Sequence, residues 1–439
     1  MAPAGEERFC IGADGVEQSR PTINVLVLTG DLADGFDRMN ALRLVRELTP
    51  LGYHFTVLPL SGGGIGDELA AAGADVRRDV LCEVQDAGIV GSAGLAAALR
   101  GILQIAGLVR HARIDVVIVE EGNRAAMRLG LWGSLLGRLP SLRTRRVLWC
   151  RSIPSFRDRL ITSIARYRRL GLITTIICTS MTQRGRLVSM GLPGRKIGLI
   201  RDGVDIEAIA ASDGDGCGVA WPADKKLILH AADVTSSVDA RTLLEAVAQL
   251  MAVRRDFHFV LAGRGARSPA FLSHVGSLGL LSAVTALGPC ESPSPDVALD
   301  WTSLRQMLHR ADLLILPTHG DASSGAVLEA MAAGVPVVVS DVPSFTEVMT
   351  HGREGLKVAP GDGDELADAI SQLLNSPQLR ARMGQAGRMT AQRFSSRRMA
   401  DNFDRLLRTI VLGRRGRRLL RRSSQGPGAA SVGPVAMPG

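Results

Sequence analysis

From Thr22 onward, short β-rich apolar runs alternate with longer amphipathic stretches, and this rhythm leaves few folds open. Ile23 to Leu28, His54 to Leu60, Asp115 to Glu120, Arg146 to Cys150 and Ile173 to Cys178 are nearly continuous apolar runs of strand length. Such runs, unlike alternating ones, mark strands covered on both faces, as in a parallel sheet. Parallel neighbours need crossovers, and the helical patterns from Asp34 to Leu51 and from Phe156 to Leu170 supply two of them. Right-handed βαβ units then wind into a doubly wound sheet.

The rhythm restarts after Asp202 to Asp205 (DGVD) and a loose loop from Ser212 to Asp224. Leu227 to Ala231, Phe257 to Gly263, Ala283 to Gly288, Leu313 to Pro317, Val335 to Asp341 and Gly355 to Pro360 form the second strand series. A chain of 439 residues is too long for one ordinary core, so two α/β domains are expected. The division in chain order is a flexible leader over 1–20, an N-terminal Rossmann-like domain over 21–205 and a linker over 206–224. A C-terminal Rossmann-like domain over 225–393, a helix over 394–412 and a basic, disordered tail over 413–439 follow.

Composition narrows the setting. The six cysteines contain no C-x-x-C pair, which argues against a zinc site or a disulfide framework and for a reducing, cytoplasmic compartment. Residues 1–20 are polar and Gly/Ala-rich, unlike a secretory signal. Ala87 to Val109 is apolar apart from Ser92, Arg100 and Gln104. A central arginine costs about 2.5–3.5 kcal/mol on insertion, so this stretch reads as a helix covering a sheet through Leu95, Leu99, Ile102, Leu103 and Leu108. An aromatic content of 4% gives no surface for stacking bases, and no specific nucleic-acid partner is expected. Two thirds of the formal charge of +9 sits in six arginines after Gly413. Together with the basic pattern from Ser155 to Leu172, this suggests weak contact with anionic membrane at the inner face.

Thr318 to Ile370 is the stretch with chemical content. A strand ending at Pro317 runs into a polar loop, and a helix opens near Ser324 and continues through Glu329 to Gly334. The exposed N–H groups at its start (Gly325), with the Ser323 and Ser324 hydroxyls, suit a phosphate. Glu329, one turn on, suits two adjacent ribose hydroxyls, the competing reading being a solvated surface glutamate. Gly263 and Gly265 mark a tight turn after another strand.

LEAMAAGVPVVVSDVPSFTEVM and GREGLKVAPGD closely resemble the donor-binding signature of the family-four retaining glycosyltransferases, and LAGRG and KIGLIRDGVD resemble flanking segments. The resemblance implies a GT-B fold, with two doubly wound domains facing a central cleft. It also implies transfer of a sugar, with retention, from a nucleotide diphosphate sugar to a glycan, lipid-linked or small-molecule hydroxyl acceptor. Neither metal nor cofactor is implied. Family members carry two glutamates separated by seven residues; Glu329 fills the second place and Asp321 the first, the catalytic one. The donor site would comprise Glu329, Ser323, Ser324, Gly325, Gly263, Gly265 and Arg267.

Three departures qualify the likeness. His230 to Ala246 stands at the family's G-R-L-x-x-x-K-G segment, with Asp233 in the arginine place and Val238 in the lysine place. Those cations would neutralise the diphosphate leaving group, so Arg264 is expected to take the catalytic part, with Arg267 and Arg241 in reserve. Cys150 and Arg151 stand where a histidine is usual, and Glu120 and Glu121 read either as acids at the cleft mouth or, more simply, as solvated loop acids. The alternative is a catalytically degenerate GT-B protein that binds a nucleotide sugar or glycan.

Overall fold

The computed structural model describes residues 21–29, 35–59, 65–77, 92–120, 144–150, 173–212, 224–234, 237–263, 265–287, 301–320 and 323–423, with the single positions 131, 133 and 222. The chain forms two compact units. The first takes the chain up to Thr179, Gln183–Ile200 and everything from Met399; the second takes Ser180–Thr182 and Arg201–Arg398.

The first unit holds β1 (Ile23–Thr29), β2 (Tyr53–Pro59), β3 (Asp75–Val76), β4 (Val116–Glu120), β5 (Arg145–Cys150), β6 (Thr175–Cys178) and β7 (Ile197–Leu199). All neighbours are parallel, in the order β3-β2-β1-β4-β5-β6-β7. Every residue of β4 and β6 is buried, which is why their sequences run apolar without alternation. The expected apolar runs all became strands, with ends shifted by a residue or two. The edge strands β3 and β7 are too short to leave such a run.

Helix Ser92–His111 covers this sheet with part of the expected stripe, Ile102 and Leu108 packing against the core. Ile105, Ala106 and Val109 are buried, whereas Leu99 and Leu103 are 53% and 65% exposed. The helix is apolar around much of its circumference, so spacing alone did not select the inward face. Among the described residues no helix is long and apolar enough to cross a membrane.

The second unit holds β8 (Lys226–Ala231), β9 (Phe257–Ala262), β10 (Val284–Leu287), β11 (Leu313–Leu316), β12 (Val337–Ser340) and β13 (Gly355–Val358). They are again parallel, in the order β10-β9-β8-β11-β12-β13. From β8 the winding runs one way to β10, and from β11 the other way to β13. The reversal between β8 and β11 is the topological switch point, outside whose carboxyl ends such sheets bind ligands.

Two boundaries differ from the linear division. The expected linker opens with helix Ile206–Ala211, part of the second unit, whose N-cap Asp205 accepts from the Ala208 N–H at 3.0 Å. At the other end, helix Ser396–Ser423 passes back into the first unit from Met399. There Phe403 meets Trp149 edge-on at 4.8 Å, and Asp404 accepts from the Tyr53 hydroxyl at 2.9 Å and from Arg408 Nε at 2.6 Å. The backbone breaks at Gly413 (φ 58°, ψ −131°) and then stays helical to Ser423, where a disordered tail was expected. Arginine and leucine, which dominate that stretch, are good helix formers.

Candidate functional site

At the carboxyl end of β11 the chain turns under control of its neighbours. The Thr318 N–H donates to Ser340 Oγ at 2.8 Å, fixing the exit to the adjacent strand β12. Ser323 Oγ then accepts from the Gly325 N–H at 3.3 Å, and helix Gly325–Ala333 begins with Ser324 at its N-cap, making no side-chain cap bond. This helix is short and buried nearly all round, because GAVLEAMAA offers small and apolar residues on every face. Its far end is closed by Gly334 in the left-handed region (φ 80°) and by Arg388, whose Nη2 donates to the Ala333 carbonyl at 2.8 Å.

Glu329 is the one charged residue of this helix, and it is 1% exposed. The solvated-surface reading is thereby overturned. Its Oε2 lies 3.8 Å from Nε of Arg305, on helix Trp301–Arg310, which connects β10 to β11; the Arg305 side chain is itself 12% exposed. A carboxylate kept out of bulk water needs such a partner, and it presents acceptor pairs to a ligand with little competition from solvent.

Across the switch point, His230 is the penultimate residue of β8 and is 4% exposed. Burial drives its pKa down to about 4 against the opposing pull of Asp239 and Asp233, so the imidazole is neutral at physiological pH. Asp239, in the first turn of helix Ser237–Val253, accepts from the His319 backbone N–H at 2.9 Å and from its Nδ1 at 2.8 Å. The chain leaving β11 is thus tied to the helix after β8. Gly263, at the end of β9, packs so closely that a Cβ would overlap the Ala232 carbonyl. Only glycine permits this approach of two strand exits.

The structure therefore gathers Glu329, Ser323, Ser324 and Gly325 on one junction, with Gly263 and Gly265 (φ 85°) at the next strand exit but one. Arg267 and Asp233 are exposed. Arg241 forms an exposed ion pair with Glu245 at 3.8 Å, one turn along its own helix. Val238 occupies the start of that helix. Asp321, Arg264, Glu121, Arg151 and the basic pattern from Ser155 to Leu172 lie outside the described residues. In the first unit, Cys150 and Glu120 end β5 and β4 and are both buried, so Glu120 is not the solvated loop acid its position suggested.

Two residues escaped the sequence reading. Arg305 is a lone basic residue 24 positions before its partner, with no spacing to betray it. Glu347 accepts from the Met181 N–H at 2.8 Å, from the Thr182 N–H at 2.9 Å and from Thr182 Oγ1 at 3.0 Å, with Arg201 Nη2 at 3.5 Å. It lies inside the motif VPSFTEVM, so the signal was present without a role attached.

Residues 225–376 match the family described as Glycosyl transferases group 1, and residues 39–203 match the Glycosyl transferase 4-like domain. An alpha-D-kanosaminyltransferase of Streptomyces kanamyceticus is 28% identical over 190 residues, which is 43% of this chain and 47% of that protein. A phosphatidyl-myo-inositol mannosyltransferase of Mycobacterium leprae is 33% identical over 170 residues, 38% of this chain and 42% of the relative. The chain thus spans less than half the length of these two relatives. Among solved structures, a glycosyltransferase from Rickettsia africae superposes with a TM-score of 0.68 at 16% identity, covering 90% of this chain and all of the other. Anabaena HepE, solved in complex with UDP and glucose, gives 0.67 at 17% identity over 87% of this chain and 98% of its own. Two Rossmann-like units with parallel sheets, the fold of these neighbours and matches to two glycosyltransferase domain families in tandem lead to one assignment: the chain belongs to the group 1 glycosyltransferases and has the GT-B fold.

Proposed function

We propose that the protein transfers a sugar, with retention at the anomeric carbon, from a nucleoside diphosphate sugar to a hydroxyl acceptor. The observation that carries the proposal is the convergence, at the β8/β11 switch point, of the amino end of helix Gly325–Ala333 with the buried carboxylate of Glu329 one turn further on. In this reading the diphosphate meets the helix N–H groups and the hydroxyls of Ser323 and Ser324, while two ribose hydroxyls donate to Glu329. Asp321 attends the sugar, and Arg264, with Arg267 in support, meets the leaving group. The bond from the anomeric carbon to the phosphate oxygen breaks, its electron pair leaves with the diphosphate, and the acceptor oxygen forms the new bond as its proton is lost. The relatives named for sugar transfer, and the neighbour holding UDP and glucose, support this choice of ligand.

The second reading, a binder without turnover, draws on the acids at the end of β8. Asp233 and Val238 stand in the two places where the family supplies cations, and Asp239 adds a second acid beside them. Purified protein incubated with UDP-, GDP- and ADP-sugars separates the two: nucleoside diphosphate release and a glycosylated product, undiminished by EDTA, support transfer. Donor binding with neither product supports the binder. A cytoplasmic setting with anionic membrane contact through the arginine-rich end belongs to the same proposal. Equal sedimentation with neutral and anionic vesicles at low salt would remove the membrane part.

A further inference from the structure

We infer that the outer face of helix Ser92–His111 docks on an anionic bilayer, with Leu99 and Leu103 entering the lipid interface; the inference rests on the membrane contact proposed above and gives it a site in the first unit. The helix buries Ile105, Ala106 and Val109 and turns Leu99 and Leu103 outward, 53% and 65% exposed. The two leucines are one helical turn apart, so they lie side by side, and exposed Arg110 continues their stripe two turns on. Arg100 and Gln104, also exposed, border the stripe, and exposed Arg113 follows the helix. From Ala87 to Ile114 the sequence holds three arginines and no aspartate or glutamate. Leucine beside arginine on one face suits an anionic lipid surface: the apolar side chain enters the acyl boundary while the guanidinium, on its long stem, stays among the headgroups. A second copy of this chain fits the face less well. A two-fold contact would set Arg100 and Arg110 near their own counterparts, with no acid on the same stretch to answer them. Two leucines also fall well short of the roughly 800 Å² per partner that a stable protein interface buries.

The test is co-sedimentation of the full-length protein at low salt with vesicles of phosphatidylcholine, alone or mixed with an equal part of phosphatidylglycerol. Wild type is compared with Leu99→Gln/Leu103→Gln and with a tail variant in which the six arginines after Gly413 are replaced by glutamine. Wild type should bind the anionic vesicles and leave the neutral ones. The leucine variant should bind about tenfold more weakly or worse although its tail is intact, because its exposed side chains no longer gain from leaving water. Both positions are exposed and glutamine is a good helix former, so its urea midpoint should match wild type and separate lost binding from lost fold. The single change Leu103→Gln carries the test if the double variant is unstable. A folded leucine variant that binds as wild type does, while the tail variant does not, overturns this inference and leaves the tail contact standing. Equal binding of wild type to both kinds of vesicle, or binding to neither, overturns the anionic membrane contact itself. A wild type that sediments as a dimer beside a monomeric leucine variant gives the face to a second copy and overturns the inference as well.

Discussion

Asp239 accepts two hydrogen bonds from His319, one from the backbone N–H at 2.9 Å and one from ring Nδ1 at 2.8 Å. Both bonds span the switch point, joining the exit of β11 to the first turn of the helix that follows β8. An ionised carboxylate only accepts, so the Nδ1 bears the proton and Nε2 keeps its lone pair at neutral charge. The loop into helix Gly325–Ala333 is held by this pair and by the Thr318 contact to Ser340.

Asp239→Ala should therefore loosen that loop more than it destabilises the domain. The expected loss is about 1 kcal/mol of stability, the ordinary worth of partly exposed hydrogen bonds, with nucleotide affinity weakened several-fold. Asp239→Asn, which keeps an acceptor, should show a smaller effect on both. Thermal unfolding with and without UDP, GDP or ADP measures the two quantities together.

His230 makes the second unit sensitive to acid. Its pKa is lowered to about 4 by burial, against 6.5 for an ordinary histidine, so between these values the unfolded chain binds the proton and the folded one does not. The sign follows: stability is full above about pH 6.5 and falls as the pH drops toward 4. At 1.36 kcal/mol per unit, the loss is on the order of 3 kcal/mol. Urea midpoints measured across this range should slope downward in wild type and flatten in His230→Phe.

Much of this architecture was legible because β4 and β12 are buried at every position and β1 and β8 at all but one, so their sequences are mostly apolar without alternation, a pattern that needs no partner to be read. The junction at Ser324 was legible for the same reason: a strand, a polar loop and a helix follow in order. What escaped depends on pairs distant in sequence. Glu329 is buried beside Arg305, and nothing local to either residue announces the other. The return of the chain at Met399, where Phe403 reaches Trp149 across more than 250 positions, is of the same kind. The burial of Glu329 could have been inferred, since GAVLEAMAA is too apolar on all sides for a surface helix.

Gly384 tests how tightly that helix is braced. It lies on helix Pro377–Ala391, against the end of helix Gly325–Ala333, and a Cβ there would overlap the Gly334 carbonyl. Backbone cannot yield as a side-chain tip can, so Gly384→Ala should cost about 1–3 kcal/mol or more through overpacking. A urea midpoint unchanged from wild type would show that the two helices part freely.

The central claim is that the switch point of the second sheet is a nucleotide-sugar donor site read by Glu329. Glu329→Gln leaves the Arg305 guanidinium buried without its countercharge, so a loss of about 3–5 kcal/mol is expected and binding must be measured well below the lowered unfolding temperature. Calorimetric titration of wild type and Glu329→Gln with UDP, GDP, ADP and their glucose conjugates tests the claim most directly. The account predicts that at least one of these ligands binds wild type with one-to-one stoichiometry, and that folded Glu329→Gln binds it about tenfold more weakly or worse. Absence of binding by every ligand, or an affinity the same in both proteins, would contradict it.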